Sequence, residues 1–343
     1  MATRVSAEPR QYRGIVVGAG GVARGAHFPA YQSHAAVRDR LQIVGVMDAA
    51  AVAPPTDLPL VDRDGVDTLG PIDFIDICTP TASHLELALW GLSRGYHVLC
   101  EKPVATTRRE ADTLAAAAAR ARRVVMACHQ YRFNPVWRQV IEWLSCGAIG
   151  RWHLAEWTVH RPAADPGAQR DAVPWRGRRA LSQGGVLLDH GTHLIYQLLD
   201  IAGPPRAVRA WTGRLRHTSY DVEDTATIQL EYPGRLATML LTWAGAGREN
   251  RVRFVGESGA IEWNGPELTL QRGTEVDRRD VAAATSKAAY HEWFAELFAS
   301  FARAMDTGVG AEAIADIRKV ATILELAYLA ARTGRVQRLP EDV

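Results

Sequence analysis

The chain has 343 residues, 47% of them hydrophobic and 23% charged, with a formal charge of +2. That length suits roughly two domains of about 100–200 residues each, and the near-neutral balance gives no reason to expect a nucleic-acid or membrane-surface partner. No apolar run reaches the ~18 residues of a membrane span, the opening MATRVSAEPRQYRG lacks the apolar segment of a secretory leader, and four cysteines in such a length form no disulfide framework; the expectation is a reduced, cytoplasmic protein.

In chain order, GIVVGAG reads as a strand, GVARGAHFPAYQ as the start of a helix and LQIVGVMD as a second strand. The Pro-rich DAAAVAPPTDLPLVD is too irregular for a full crossover helix. DFIDICTP, the helix SHLELALWGLSRG, the strand HVLCEKP, a helix from Arg108 to about Ala121 and RVVMACHQ complete the first rhythm. Thr107 and Glu110 have capping-box spacing. Near-continuous apolar strands separated by helices imply a parallel sheet covered on both faces. Past Tyr131 the pattern changes. A helix is expected over Pro135–Ser145, then the strand RWHLAEWTVH, then DTATIQLEY, RLATMLLTW, RVRFVG and GAIEW with short turns between them. That succession argues for a mostly antiparallel sheet in a second, α+β domain. Helices return at YHEWFAELFASFARAM and AEAIADIRKVATILELAYLAART.

IVVGAGGVA places Gly18, Gly20 and Ala23 as G-x-G-x-x-A between a strand and a helix. Gly18 permits a tight turn, Gly20 lets backbone approach a pyrophosphate, and Ala23 lets helix and sheet pack closely. The helix opening at Gly21, Val22 and Ala23 presents free N–H groups and a positive dipole end to phosphates. Asp48 ends the second strand, where a carboxylate can accept both ribose hydroxyls and repel a 2′-phosphate. The expected cofactor is NAD, with NADP less favoured.

Lys102 in CEKPVA leaves an apolar strand at the carboxyl edge of the sheet, one of three lysines beside Lys287 and Lys319. There an ammonium could polarise a substrate carbonyl. In LLDHGTHLIYQLLD, Asp189 and His193 are i and i+4 on one helix face. Asp189 could hold the His193 ring or a substrate hydroxyl, and His193 could exchange a proton with an alcohol near neutral pH. His190 could touch substrate or satisfy a neighbouring carbonyl. No metal is expected, since Asp189, His190 and His193 lack an H-E-x-x-H pattern. Gly184 and Gly185 would allow close backbone approach to a ligand. Tyr131, Arg132 and Asn134 in YRFNP, and Arg161, Trp175 and Arg176 in the Arg- and Pro-rich HRPAADPGAQRDAVPWRGRR, are further pocket candidates, as are Trp243 and Arg248.

GAGGVA, DICTP followed by His84, EKPVA, YRFNP and LLDHGTHL occur in the order of the Gfo/Idh/MocA family, which the chain resembles over most of its length. The resemblance implies an N-terminal Rossmann doubly wound parallel sheet (residues 1–129). After it would come a C-terminal α+β domain with a large, mostly antiparallel open sheet (130–343). Residues 311–343 could pack back on the first domain. It adds Thr79, Pro80, His84 and Glu101 to the cofactor side. It also implies an NAD(P)-dependent oxidoreductase of the glucose–fructose oxidoreductase and inositol dehydrogenase type, acting on a polyol, sugar or cyclitol. The open sheet would then form a homodimer or homotetramer. An NAD-dependent glycosidase or lyase using transient oxidation, and a non-enzymatic dinucleotide-sensing regulator, are the rival readings.

Overall fold

The computed structural model describes residues 10–50, 57–165 and 173–343. Two sheets organise them. β1 (Tyr12–Val17), β2 (Leu41–Met47), β3 (Leu60–Val61), β4 (Phe74–Ile77), β5 (His97–Cys100) and β6 (Val125–Ala127) form the first, in the order β3-β2-β1-β4-β5-β6. Every pair in it is parallel. Its strands are mostly apolar because both faces are covered: Ile15, Val17, Ile75 and Ile77 join one buried cluster, Val16 and Phe74 another. The strand order reverses between β1 and β4, the switch point outside which ligands bind in such sheets.

The helix Arg108–Ala121 begins where its sequence says. Thr107 accepts the Glu110 N–H at 3.2 Å, and the Glu110 carboxylate accepts the Thr107 N–H at 3.2 Å. Part of the Pro-rich stretch after β2 lies outside the described residues; beyond it only the short turn Gly65–Leu69 separates β3 from β4. The segment read as the first helix opens as a wide π-helical turn, Ala23–His27, before the α-helix Phe28–Ser33.

The second sheet has nine strands: β7 (Trp152–His160), β8 (Ala207–Gly213), β9 (Thr225–Tyr232), β10 (Arg235–Thr242), β11 (Glu249–Gly256), β12 (Gly259–Asn264), β13 (Glu267–Arg272), β14 (Glu275–Asp280) and β15 (Gln337–Arg338), in the order β14-β13-β12-β11-β7-β10-β9-β8-β15. Only β7 and β10 run parallel. One face is buried under the helices Pro135–Ser145, Thr192–Ala202 and Ala311–Thr333, around Trp137, Trp157, Tyr196 and Phe254. The other carries Trp211 and Leu240, 48% and 40% exposed.

The helix Tyr290–Thr307 leaves the second sheet and crosses to the first. Phe294, Phe298 and Phe301 are fully buried there, against His27, Tyr31 and Phe74. Each such ring contributes about 1.5–3 kcal/mol, so this helix belongs to the first domain's core. The helix Ala311–Thr333 touches both halves, with Ile317 and Ala321 in the first core and Ile323, Leu324 and Ala327 in the second.

Candidate active site

The glycine turn sits at the switch point. Gly18 has φ +94, and a Cβ there would stand 2.9 Å from Cγ2 of Thr79, two residues past the end of β4. A Cβ on Gly20 or Gly21 would meet nothing within 4 Å, so the space before the helix is open. The first N–H groups of a helix have no partner within it. Together these features fit a dinucleotide's phosphates. Asp48 accepts the Ala19 N–H at 2.7 Å and the Ala50 N–H at 2.8 Å, so its carboxylate lies across the glycine turn from the end of β2. Thr79 and Pro80 are half-buried beside Gly18.

Two residues expected on the cofactor turn inward instead. Glu101 accepts from His27 Nε2 at 3.0 Å and from the Lys102 N–H at 3.2 Å, and is 7% exposed. His27 Nδ1 lies 2.7 Å from Asp76, which also accepts the Tyr31 hydroxyl at 2.9 Å. Burial alone would favour neutral His27, but Asp76 and Cys78 hold its pKa well above the ordinary value. An imidazolium thus bridges two buried carboxylates under the active edge. His84 is a strut: its ring nitrogens face the carbonyls of Pro103 (2.7 Å) and Thr79 (2.8 Å), tying the two strand-end turns together. His27, Asp76 and Cys128 have ligating atoms within 4.8 Å of one another, the one such group among the described residues, and it lies in this buried network.

Lys102 crosses to the second domain. Its ammonium donates to Asp189 Oδ1 at 2.6 Å and to the Asp189 carbonyl at 2.8 Å. Burial would raise the Asp189 pKa, but Lys102, Arg176 and His190 hold it well below the usual carboxylate range. Arg176 Nε is 3.4 Å from Asp189 Oδ2, and its guanidinium lies 4.4 Å over the Trp175 ring. Asp189 therefore pairs with the lysine and not with His193. The reason is local: Leu187–Gly191 is a π-helical turn, wider than an α-turn, before the α-helix Thr192–Ala202. The i, i+4 stacking assumed from a regular helix does not hold across it.

His193 takes its partner from the following turn. Its Nδ1 lies 3.0 Å from the Tyr196 hydroxyl, and Tyr131 packs edge-on at 4.6 Å. Tyr196 Oη already accepts the Tyr131 N–H at 3.1 Å, and its hydrogen has no other acceptor among the described residues. A buried hydroxyl left without an acceptor is costly, so this hydrogen is assigned to Nδ1 and the His193 proton to Nε2. Burial, then Lys102, push the His193 pKa well below its ordinary value. His190, 3.9 Å from Asp189 Oδ2, is pushed down to about 3, mainly by burial. Both rings are neutral near neutral pH.

A cleft of about 460 Å³ is lined by Tyr131, Trp157, Arg161, His190, His193 and Asn250. A recess of about 220 Å³ lies between Pro103, Trp175, Arg176, Asp189 and Trp243. Arg248 is exposed. Arg132 is not brought to the cleft. It pairs with Asp200 at 2.7 Å and Asp316 at 2.6 Å, clamping two helices. Asn134 caps the helix Pro135–Ser145 by accepting the Val136 N–H at 2.8 Å. Gly184 and Gly185 serve packing, since added Cβ atoms would stand 2.3 Å from the Tyr328 hydroxyl and 1.9 Å from the Glu223 carbonyl. Glu223 accepts the N–H groups of Gly185 (2.9 Å) and Leu187 (3.2 Å), anchoring the turn that carries Asp189. Residues 166–172 of the Arg-rich loop lie outside the described residues. Sequence reasoning missed His27, Asp76, Tyr196 and Glu223; the i+3 spacing of Tyr196 from His193 was the one available signal.

A glycine turn at the switch point of a parallel sheet, with a Lys102–Asp189 pair beside a cleft lined by His193, has the layout of a nicotinamide-dependent oxidoreductase. The chain belongs to the Gfo/Idh/MocA family. Residues 12–129 match its oxidoreductase domain with an NAD-binding Rossmann fold, and residues 137–262 match its C-terminal domain. Levoglucosan dehydrogenase of Pseudarthrobacter phenanthrenivorans is 31% identical over 145 residues, 40% of this chain and 35% of that protein. D-apiose dehydrogenase of Paraburkholderia graminis is 25% identical over 356 aligned positions, 96% of this chain and 90% of that protein. Across three such curated relatives the matched region spans 35% to 54% of their length. An inositol dehydrogenase homolog from Azotobacter vinelandii, solved with NAD+, shares the fold with a TM-score of 0.80 at 20% identity, over 96% of this chain and 98% of that one.

Proposed function

We propose that the protein transfers hydride between NAD and a secondary alcohol or ketone of a sugar derivative or cyclitol. The observation that carries this reading is the 2.6 Å contact between Lys102 of the first domain and Asp189 of the second, one turn before His193. Lys102 would position and polarise the reacting oxygen, Asp189 would hold the ammonium in place, and His193 would share the oxygen's proton through Nε2. As a Nε2–H donor, His193 is set to support an oxygen gaining negative charge, as in carbonyl reduction. Oxidation of an alcohol needs the other tautomer, with Nδ1–H donating back to Tyr196. The bound nicotinamide would supply the hydride donor or acceptor. The carboxylate of Asp48 near the ribose position supports NAD over NADP. The names of the relatives, levoglucosan and D-apiose dehydrogenases, support a carbohydrate substrate.

No helix among the described residues is long and apolar enough to cross a membrane, in keeping with a proposed cytoplasmic location. Trp211, Thr227 and Leu240 lie in register on the uncovered face of the second sheet. That row supports a homodimer or homotetramer through this face, measurable by light scattering. The reaction itself is tested with a panel of inositols, aldoses and ketosugars, following absorbance at 340 nm with NAD(H) and NADP(H). Net cofactor conversion lost in Lys102→Ala and His193→Ala, with NAD binding kept, is the expected result. Wild-type rates in either variant overturn the roles of Lys102 and His193.

A further inference from the structure

We infer that the substrate carries an anionic group, a carboxylate or a phosphate, and that Arg161 receives it. The inference rests on the dehydrogenase reading and adds the chemistry of the substrate's non-reacting end. Arg161 follows β7 directly, is 7% exposed, and lines the same cleft as His193. A guanidinium has five N–H donors. Nη1 donates to the carbonyls of His160 (2.6 Å) and Glu249 (2.9 Å), and Nη2 donates to Asn250 Oδ1 at 2.8 Å. Nε and the second Nη2 hydrogen have no acceptor among the described residues. No described carboxylate pairs with Arg161 either, and the nearby Glu249 side chain turns to His160 Nδ1 at 2.9 Å. A buried charge is ordinarily neutralised by a partner; this one has only neutral acceptors.

The surroundings point the same way. Lys102 and Arg176 converge on the single carboxylate of Asp189. Burial, then the positive charge of Arg248, push Arg161 down to about 10. Lys102 and Arg176 thus share Asp189, and Glu249 turns to His160, which leaves Arg161 with no described carboxylate of its own. A neutral polyol would leave that guanidinium without a counter-charge. An oxyanion would accept the two remaining N–H groups on adjacent nitrogens of one planar fork, the geometry in which arginine binds carboxylate and phosphate.

The test uses the NAD-loaded protein with matched substrates: glucose against glucuronate, galactose against galacturonate, and glucose 6-phosphate as the phosphate arm. The acid of a pair should have a kcat/KM about 10- to 100-fold above its neutral partner, as for hydrogen bonds to a charged group. The ratio should fall to near one in Arg161→Met and recover in part in Arg161→Lys. A larger gain with the phosphate arm assigns the site to phosphate. Equilibrium binding of the same compounds to the wild type, read by tryptophan fluorescence, supplies a second readout if Arg161→Met does not fold. Acids that bind more tightly than neutral sugars without turnover keep the anion site and overturn the dehydrogenase reading. Neutral sugars turned over as well as their acids overturn the anion site and leave the dehydrogenase reading standing. Neither binding nor turnover of any of them overturns both.

Discussion

The hydroxyl of Tyr196 stands 3.0 Å from Nδ1 of His193, and the hydrogen it contributes leaves the imidazole's own proton on Nε2, the nitrogen left for the cleft. Tyr196→Phe removes that donor and frees the ring to take either tautomer. The nitrogen-15 spectrum of His193 should then lose its Nε2–H pattern, and kcat should fall roughly 10-fold, the scale of one hydrogen bond. An unchanged nitrogen spectrum would show that Tyr196 does not set the tautomer.

Lys102 and Asp189 act as a unit, because the carboxylate has its shortest contact with that ammonium. Lys102→Ala should lower kcat/KM by about 10²–10³-fold, the loss typical of one preorganised electrostatic group, with NAD affinity retained. Asp189→Asn should cost less, and the double variant should be close to Lys102→Ala alone, since contacting residues do not add. Fully additive losses in a double-mutant cycle would refute the coupling.

Gly18 and Gly20 separate two uses of glycine. Gly18→Ala meets both a positive φ and Thr79 at 2.9 Å, so it should lower the melting temperature by strain of about 1–3 kcal/mol and weaken NAD binding. Gly20→Ala enters open space. It should melt like the wild type yet bind NAD at least about 10-fold more weakly, because its methyl group takes the room a phosphate needs. Calorimetry with and without NAD distinguishes the two.

His27→Leu should destabilise the fold by about 3–5 kcal/mol, since it leaves Asp76 and Glu101 buried without their shared cation. Denaturant midpoints measure it. A loss under about 1 kcal/mol, the range of an exposed ion pair, would mean that these carboxylates are protonated or solvated in the native protein.

Stability should decline as pH falls from about 6.5, the unfolded histidine value. Burial lowers the folded pKa of His129, His190 and His193. Below that pH the unfolded chain takes up protons that the native rings refuse, each costing up to about 1.4 kcal/mol per pH unit. His27 has the opposite sign: its raised folded pKa contributes fully below the unfolded value and is lost only as pH rises through the folded one. Chemical denaturation at pH 7, 6 and 5 tests the slope; a flat profile contradicts it.

The parts legible in the sequence were those with local causes. Thr107 and Glu110 mark a helix start, Gly18 a turn that needs positive φ, and the polar Asp189 and His193 stand out against an apolar run. Lys102 and Asp189 each stand out as well, but not their contact, because a π-turn alters the spacing that pairs Asp189 with His193 on a regular helix. Glu101 looks free in the sequence because its partner His27 lies 74 positions earlier. Tyr196 is hidden among leucines that pack the same helix. Gly185 suggests a ligand when what approaches it is Glu223. β14 carries five charged residues in six, EVDRRD, and offers no alternation to read; a charged edge strand is how sheets discourage further pairing.

The helix Tyr290–Thr307 has a consequence for biosynthesis. The strands it covers are complete once residue 127 has been made, yet Phe294, Phe298 and Phe301 come from much later in the chain. Through most of translation the nascent nucleotide-binding half must therefore wait with a bare aromatic face, open to chaperones. It can acquire its finished interior only when nearly the whole polypeptide has left the ribosome.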